Sequence, residues 1–157
     1  MTYHKKYMDR AIELAIENVR SNKGGPFGAV LVKNDLIIAE GVNLVTTTND
    51  PTAHAEICAI RTACAKLSSF QLTECSLYSS CEPCPMCLGA LYWARISTLY
   101  FAATKENAAA IGFDDSFIYE EITRPIDHRV ITTKHSAHDR ALEAFRLWSQ
   151  SSKKTNY

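Results

Sequence analysis

The stretch CSLYSSCEPCPMCLGALYWARISTLYFA, residues 75–102, decides the fold. Residues 75–79 read as a short strand, and residues 84–94 as a helix that opens after Pro83. Residues 96–102, rich in β-branched and aromatic side chains, read as a second strand. Two strands separated by a helix cannot close as a hairpin, so the reading is a parallel βαβ crossover, the unit of an α/β sheet.

Upstream of it, Asn49-Asp50-Pro51-Thr52 supplies turn and N-cap residues. A helix is therefore expected to open near Thr52 or Ala53 and to run through Ile57, Ile60 and Arg61 to about Lys66, with His54 and Glu56 in its first turn. Two β-rich runs, 27–32 and 36–39, lie on either side of Lys33-Asn34-Asp35 and read as a β-hairpin. Gly24-Gly25-Pro26 ends an earlier segment, 4–19, in which Tyr7, Met8, Ala11, Ile12, Ala15, Ile16 and Val19 recur at spacings of three and four, the pattern of an amphipathic helix. Downstream, 106–110 and 117–122 read as short helices, Arg124-Pro125 as a break, 130–133 as a strand and 137–148 as a helix. No repeat or long linker divides the chain. The expectation is one domain over 1–157, a three-layer α/β/α arrangement around a central mixed sheet.

With 46% apolar residues, 157 residues suffice for one core. The 17 basic and 17 acidic side chains cancel, so no overall field draws the protein to nucleic acid or to an anionic membrane, and a small substrate is favoured. The first ten residues are polar, and no run approaches the roughly 18 apolar residues of a membrane span, so a cytoplasmic protein with no membrane partner is expected. In such a compartment six cysteines serve as thiols or metal ligands.

Two short elements carry chemistry: His54-Ala55-Glu56, and Pro83-Cys84-Pro85-Met86-Cys87. Cys84 and Cys87, three apart at a helix start, place two sulfurs on one face, where the helix N-terminus favours the thiolate that zinc requires. His54 completes a set of three ligands. Three protein ligands leave a fourth zinc position open for water, the mark of a catalytic rather than a structural site. Zinc brings the pKa of its water towards neutrality, and Glu56 is placed to move the protons. The pattern H-x-E followed by P-C-x-x-C resembles the signature of zinc nucleobase deaminases. Each element alone has an ordinary reading: a capping histidine, buried thiols, a first-turn acid. Cys81 extends the run to C-x-x-C-x-x-C and could close the site or replace a ligand, although Pro83 favours starting the helix just before Cys84. Cys58, Cys64 and Cys75 read as structural.

On these residues the sequence resembles the cytidine-deaminase-like superfamily. Phe27-Gly28-Ala29-Val30, Asp50-Pro51-Thr52-Ala53-His54-Ala55-Glu56 and 81–87 look shared with tRNA adenosine deaminases and cytosine deaminases. Gly24-Gly25-Pro26-Phe27, Gly112-Phe113-Asp114-Asp115-Ser116-Phe117-Ile118-Tyr119 and the ending Lys153-Lys154-Thr155-Asn156-Tyr157 are similar to the bacterial guanine deaminase branch. The resemblance implies hydrolysis of guanine at C2, with Glu56 as proton carrier, Asp115 at the substrate amino group and Asn43 on the base. Asn43 could equally close its strand in an Asx turn, and Asp115 could cap the helix that follows. Phe27 and, behind it, Trp93 are candidates for stacking on the base, though each could be core. The same resemblance implies a homodimer whose C-terminal segments exchange, so that residues 149–157 form a lid and Tyr157 seals the partner's pocket. Rival readings are a tRNA adenosine deaminase using Lys134, His135, Arg140 and Arg146, a deaminase of cytosine or guanosine, a structural zinc module, and a thiol oxidoreductase.

Overall fold

The computed structural model describes residues 2–156, which form two compact units, the first ending at Asp115 and the second beginning at Ser116. In the first unit α1 (Lys5–Arg20), β1 (Gly28–Lys33), β2 (Leu36–Val42), the single turn α2 (Val45–Thr48), α3 (Ala55–Leu67), β3 (Cys75–Cys81), α4 (Pro85–Trp93), β4 (Thr98–Ala103) and α5 (Lys105–Ala109) follow in order. The strands form one mixed sheet in the order β2-β1-β3-β4. β1 is antiparallel to β2 and β3, and β3 is parallel to β4, with α4 as the crossover between them. The expected βαβ unit and α/β/α layering are both present.

The hairpin turns on Asn34 and Asp35, both at positive φ, the backbone of a two-residue turn that Asn and Asp tolerate best among residues with side chains. Ile38 is the extra residue of a bulge, because Leu31 pairs with Ala39 but Val32 with Ile37. Side chains alternate across the sheet. Val30, Val32 and Tyr78 pack with Tyr7, Met8, Ala11 and Leu14 of α1, while Leu31 and Leu77 join Ala39, Ala63, Leu72, Leu91 and Ala94 on the side of α3 and α4. With both faces covered, β1 and β3 are buried along almost their whole length. Gly41 sets the distance of one layer: a Cβ there would lie 2.1 Å from the Ala55 carbonyl oxygen and 2.5 Å from the Ala59 nitrogen. Without a side chain at 41, α3 rests directly on β2.

Two expectations are corrected. The buried stripe of α1 is Tyr7, Met8, Ala11, Leu14, Ala15 and Asn18, while Ile12, Ile16 and Val19 are exposed and line, with Pro26, Ala102 and Ala103, an apolar groove of about 550 Å³. A helix offers two adjacent apolar stripes with the same period, and the sheet takes only one. Residues 130–133 form no strand, since Val130 and Ile131 are each 79% exposed and unpaired with any strand among the described residues. The second unit holds α6 (Ser116–Thr123), 3-10 turns at Ile126–His128 and Asp139–Leu142, and α7 (Glu143–Gln150), which starts later than expected. None of its described side chains is fully buried. Among the described residues no helix is long and apolar enough to cross a membrane.

Candidate metal centre

His54 and Cys84 are the N-cap residues of α3 and α4. Both have extended backbone, and neither spends its side chain on a capping bond. For Cys84 the cause is local: Pro85 forbids the helical conformation to the residue before it, then serves as the first helical residue. The chain ahead of His54 is fixed by the hydrogen bond from the Leu44 N–H to the Ala53 carbonyl, which ties the end of β2 to the start of α3.

His54 Nδ1 lies 3.5 Å from Cys84 Sγ and 3.5 Å from Cys87 Sγ, and the three ligand atoms all fall within 4.8 Å of one another. Zn–S bonds of about 2.3 Å and Zn–N bonds of about 2.0–2.1 Å at a tetrahedral angle put nitrogen and sulfur about 3.6 Å apart. The set therefore fits one triangular face of a zinc tetrahedron. The protons agree. Cys84 is held down to about 4, first because the Cys87 thiol donates to it and then because His54 stands beside it, while burial opposes the shift. Cys87, the donor of that bond and itself buried, is pushed up. The neighbouring thiolate raises His54. The pair thus favours one thiolate at Cys84 and holds its other proton where a cation would displace it.

Glu56, in the first turn of α3, is buried. Ser79 Oγ donates to its Oε1 at 3.1 Å, and its Oε2 lies 3.5 Å from Cys87 Sγ. Burial pushes its carboxyl above the ordinary carboxylate range despite those contacts. Asp115 is half-buried, and its carboxyl is raised first by burial and then by the Cys84 thiolate, near enough to be felt. Asn43, just past β2, is buried, and its Oδ1 accepts from the N–H groups of Gly25 at 3.4 Å and Val45 at 3.3 Å. Phe27 packs on Ala29, Ala55 and Ala59 and meets Phe113 edge to face at 5.0 Å.

The zinc-binding region of cytidine and deoxycytidylate deaminases matches residues 1–103. The chain belongs to this family. Within it, the deaminase is 53% identical over 154 residues to a guanine deaminase of Bacillus subtilis, covering 98% of this chain and 99% of that one. It superposes on an X-ray structure of guanine deaminase from Bacillus subtilis with a TM-score of 0.97 at 52% identity, covering 99% of each chain. A tRNA-specific adenosine deaminase of Haemophilus influenzae is 41% identical over 119 residues, 72% of this chain and 68% of the relative.

Not every residue singled out in the deaminase joins the centre. Cys81 donates its thiol to the Thr104 carbonyl at 3.5 Å and stays outside the three-ligand group. Trp93 ends α4, nine residues beyond Cys84 and so about 13 Å along the helix axis, and is 64% exposed. The centre sits at the other end of that helix. Tyr157 lies outside the described residues. Three neighbours lie beyond the residues that the sequence singles out: Ser79, which holds Glu56; Phe113, which packs on Phe27; and Asn18, whose Nδ2 donates to the Gly25 and Asn43 carbonyls. Only Phe113 has a local signal, its place in the Gly112-Phe113-Asp114-Asp115 run.

Proposed function

We propose that this deaminase hydrolyses guanine at C2, giving xanthine and ammonia. The observation that carries the proposal is the buried Glu56 beside a three-ligand metal face, in a chain that matches a guanine deaminase over nearly its whole length. His54 Nδ1, Cys84 Sγ and Cys87 Sγ would hold a zinc ion, which when bound would supply the Lewis acidity that brings a water proton within reach of a carboxylate near neutral pH. Glu56 takes that proton to a ring nitrogen, then takes the proton of the hydroxyl added at C2 and delivers it to the departing amine. A carboxyl with raised proton affinity suits both acceptance and return. Asp115 accepts N–H bonds from the substrate amino group and steadies it as it gains positive charge. Asn43 gives hydrogen bonds to the base, and Phe27, backed by Phe113, offers it an apolar face.

The finer reading extends to the assembly. The protein is a homodimer of the cytoplasm, the C-terminal segments cross between subunits, and residues 149–157, Tyr157 included, cover the partner's site as a lid that excludes water and polymeric substrates. It is supported by an exposed apolar stripe on each unit: Ile12, Ile16 and Val19 in the first, Leu142, Phe145 and Trp148 in the second.

Ammonia release from guanine, guanosine, adenine, cytosine and an adenosine-bearing tRNA hairpin tests the substrate. Release from guanine, absent in Glu56→Gln, is expected. Release from the hairpin alone would replace guanine with tRNA adenosine while leaving the zinc chemistry intact.

A further inference from the structure

We propose that Asn18 is a positioning residue for this reaction: from the far end of α1 it fixes which end of the Asn43 carboxamide is turned to the base. The inference rests on the reading of Asn43 as a base contact. Asn18 is 2% exposed, and its Nδ2 donates to two carbonyls at once, Gly25 at 2.9 Å and Asn43 at 2.8 Å. Its own carbonyl accepts from the Lys23 N–H at 3.1 Å. One amide thus ties the end of the helix, the glycine loop leading to Phe27 and the backbone of Asn43 into one knot.

The knot decides an orientation. Asn43 Oδ1 faces two N–H donors, Gly25 and Val45, so its Nδ2 is the end left to donate, matching an acceptor on a purine edge. A flipped carboxamide would set its N–H groups against those two donors and turn an acceptor to the base. Both holding bonds, at 3.4 and 3.3 Å, are long beside the usual 2.9–3.0 Å, so each is weak and the orientation needs both amides in place. The Gly25 amide belongs to the residue whose carbonyl Asn18 grips. The loop also runs against Asn43 so closely that a Cβ at Gly24 would lie 2.1 Å from the Asn43 carbonyl oxygen.

Asn18 Oδ1 is buried with no hydrogen-bond partner among the described residues. A side chain selected for packing alone would avoid that cost, since a leucine of similar shape leaves no polar atom unpaired at its own position. What the asparagine has and leucine lacks is the pair of bonds onto the loop and Asn43.

The test is a double-mutant cycle on the zinc-loaded enzyme, reading kcat and KM for guanine in wild type, Asn18→Leu, Asn43→Ala and the double variant. Asn18→Leu is expected to raise KM about tenfold with a smaller effect on kcat and full zinc content, and to change kcat/KM less than about twofold once Asn43 is alanine. If Asn18→Leu costs the same factor in both backgrounds, Asn18 does not act through Asn43 and the inference is overturned. If Asn43→Ala itself changes neither constant, the reading of Asn43 fails first and this one with it. Asn18→Ser, smaller than asparagine and unable to overpack the site, runs the same cycle if leucine disrupts folding.

Discussion

Glu56 is a carboxyl kept dry at the start of a helix, with one oxygen on Ser79 and the other on Cys87. Its proton affinity is raised by burial, so its chemistry depends on the acid itself and not on its shape. Glu56→Gln preserves that shape and is expected to retain zinc while losing about a hundredfold to ten-thousandfold in turnover, measured as ammonia release beside metal content. Cys84→Ser is expected to lose the metal together with the activity, because it removes the ligand whose thiol gives up its proton most readily. Near-normal turnover in the first variant, or full zinc in the second, would contradict these roles. This scale is also where sequence reads best. Metal ligands are constrained by local spacing, so the chain's own motifs name His54, Cys84 and Cys87, and Glu56 follows from its place two residues after His54. Ser79 and Asn18 have no such motif. A serine inside a strand and an asparagine inside a helix carry no local mark, and their importance exists only where the sheet brings residue 79 to 56 and α1 brings residue 18 to 43.

Between elements, contact geometry makes sharper demands than composition. At Gly41 a methyl group would meet backbone atoms of α3, which cannot swing aside. Gly41→Ala is expected to cost about 1–3 kcal/mol or more and to weaken zinc binding as well, because the displaced first turn carries Glu56 and adjoins His54. Gly89 makes the control: a Cβ there meets nothing within 4 Å, so Gly89→Ala should stabilise α4 by about 0.5–1 kcal/mol. Chemical denaturation of both variants, with metal analysis, decides. A second tie joins α1 to β2, where Arg10 grips Glu40 through Nε–Oε1 at 2.7 Å and Nη2–Oε2 at 3.0 Å. Arg10 holds the Glu40 carboxyl below its ordinary 4.5. A lowered carboxyl contributes stability that is present above 4.5 and lost as pH falls through the lower folded value. Glu40→Gln should therefore cost about 0.5–1 kcal/mol at pH 7, a pair at the surface being worth no more, and the difference from wild type should vanish in acid. The hairpin and the crossover were legible because their signals, Asn34-Asp35 and Pro83 with its flanking apolar runs, are local. The face of α1 was not, since a choice between neighbouring stripes is made by the sheet.

For the whole molecule the open physical question is how 42 residues beyond Asp115 are stabilised when none of the described side chains among them is fully buried. So small a unit rarely holds its own core, and an exposed row such as Leu142, Phe145 and Trp148 asks for a covering surface. The segment at 130–133 misleads a sequence reading for the same reason, as its β-forming residues have no strand beside them among the described residues. An exchanged dimer answers both, and it predicts sedimentation at twice 17.5 kDa. Complementation tests the exchange itself. One parent keeps its tail but carries Glu56→Gln; the other keeps Glu56 but lacks residues 149–157. If the tail closes the partner's site, each parent alone is nearly inactive, and unfolding and refolding them together yields heterodimers in which an intact Glu56 lies under an intact tail. Activity should return to about a quarter of wild type, since half the dimers are mixed and each has one complete site. If the tail closes its own site, mixed dimers gain nothing, and activity stays at the level of the parents.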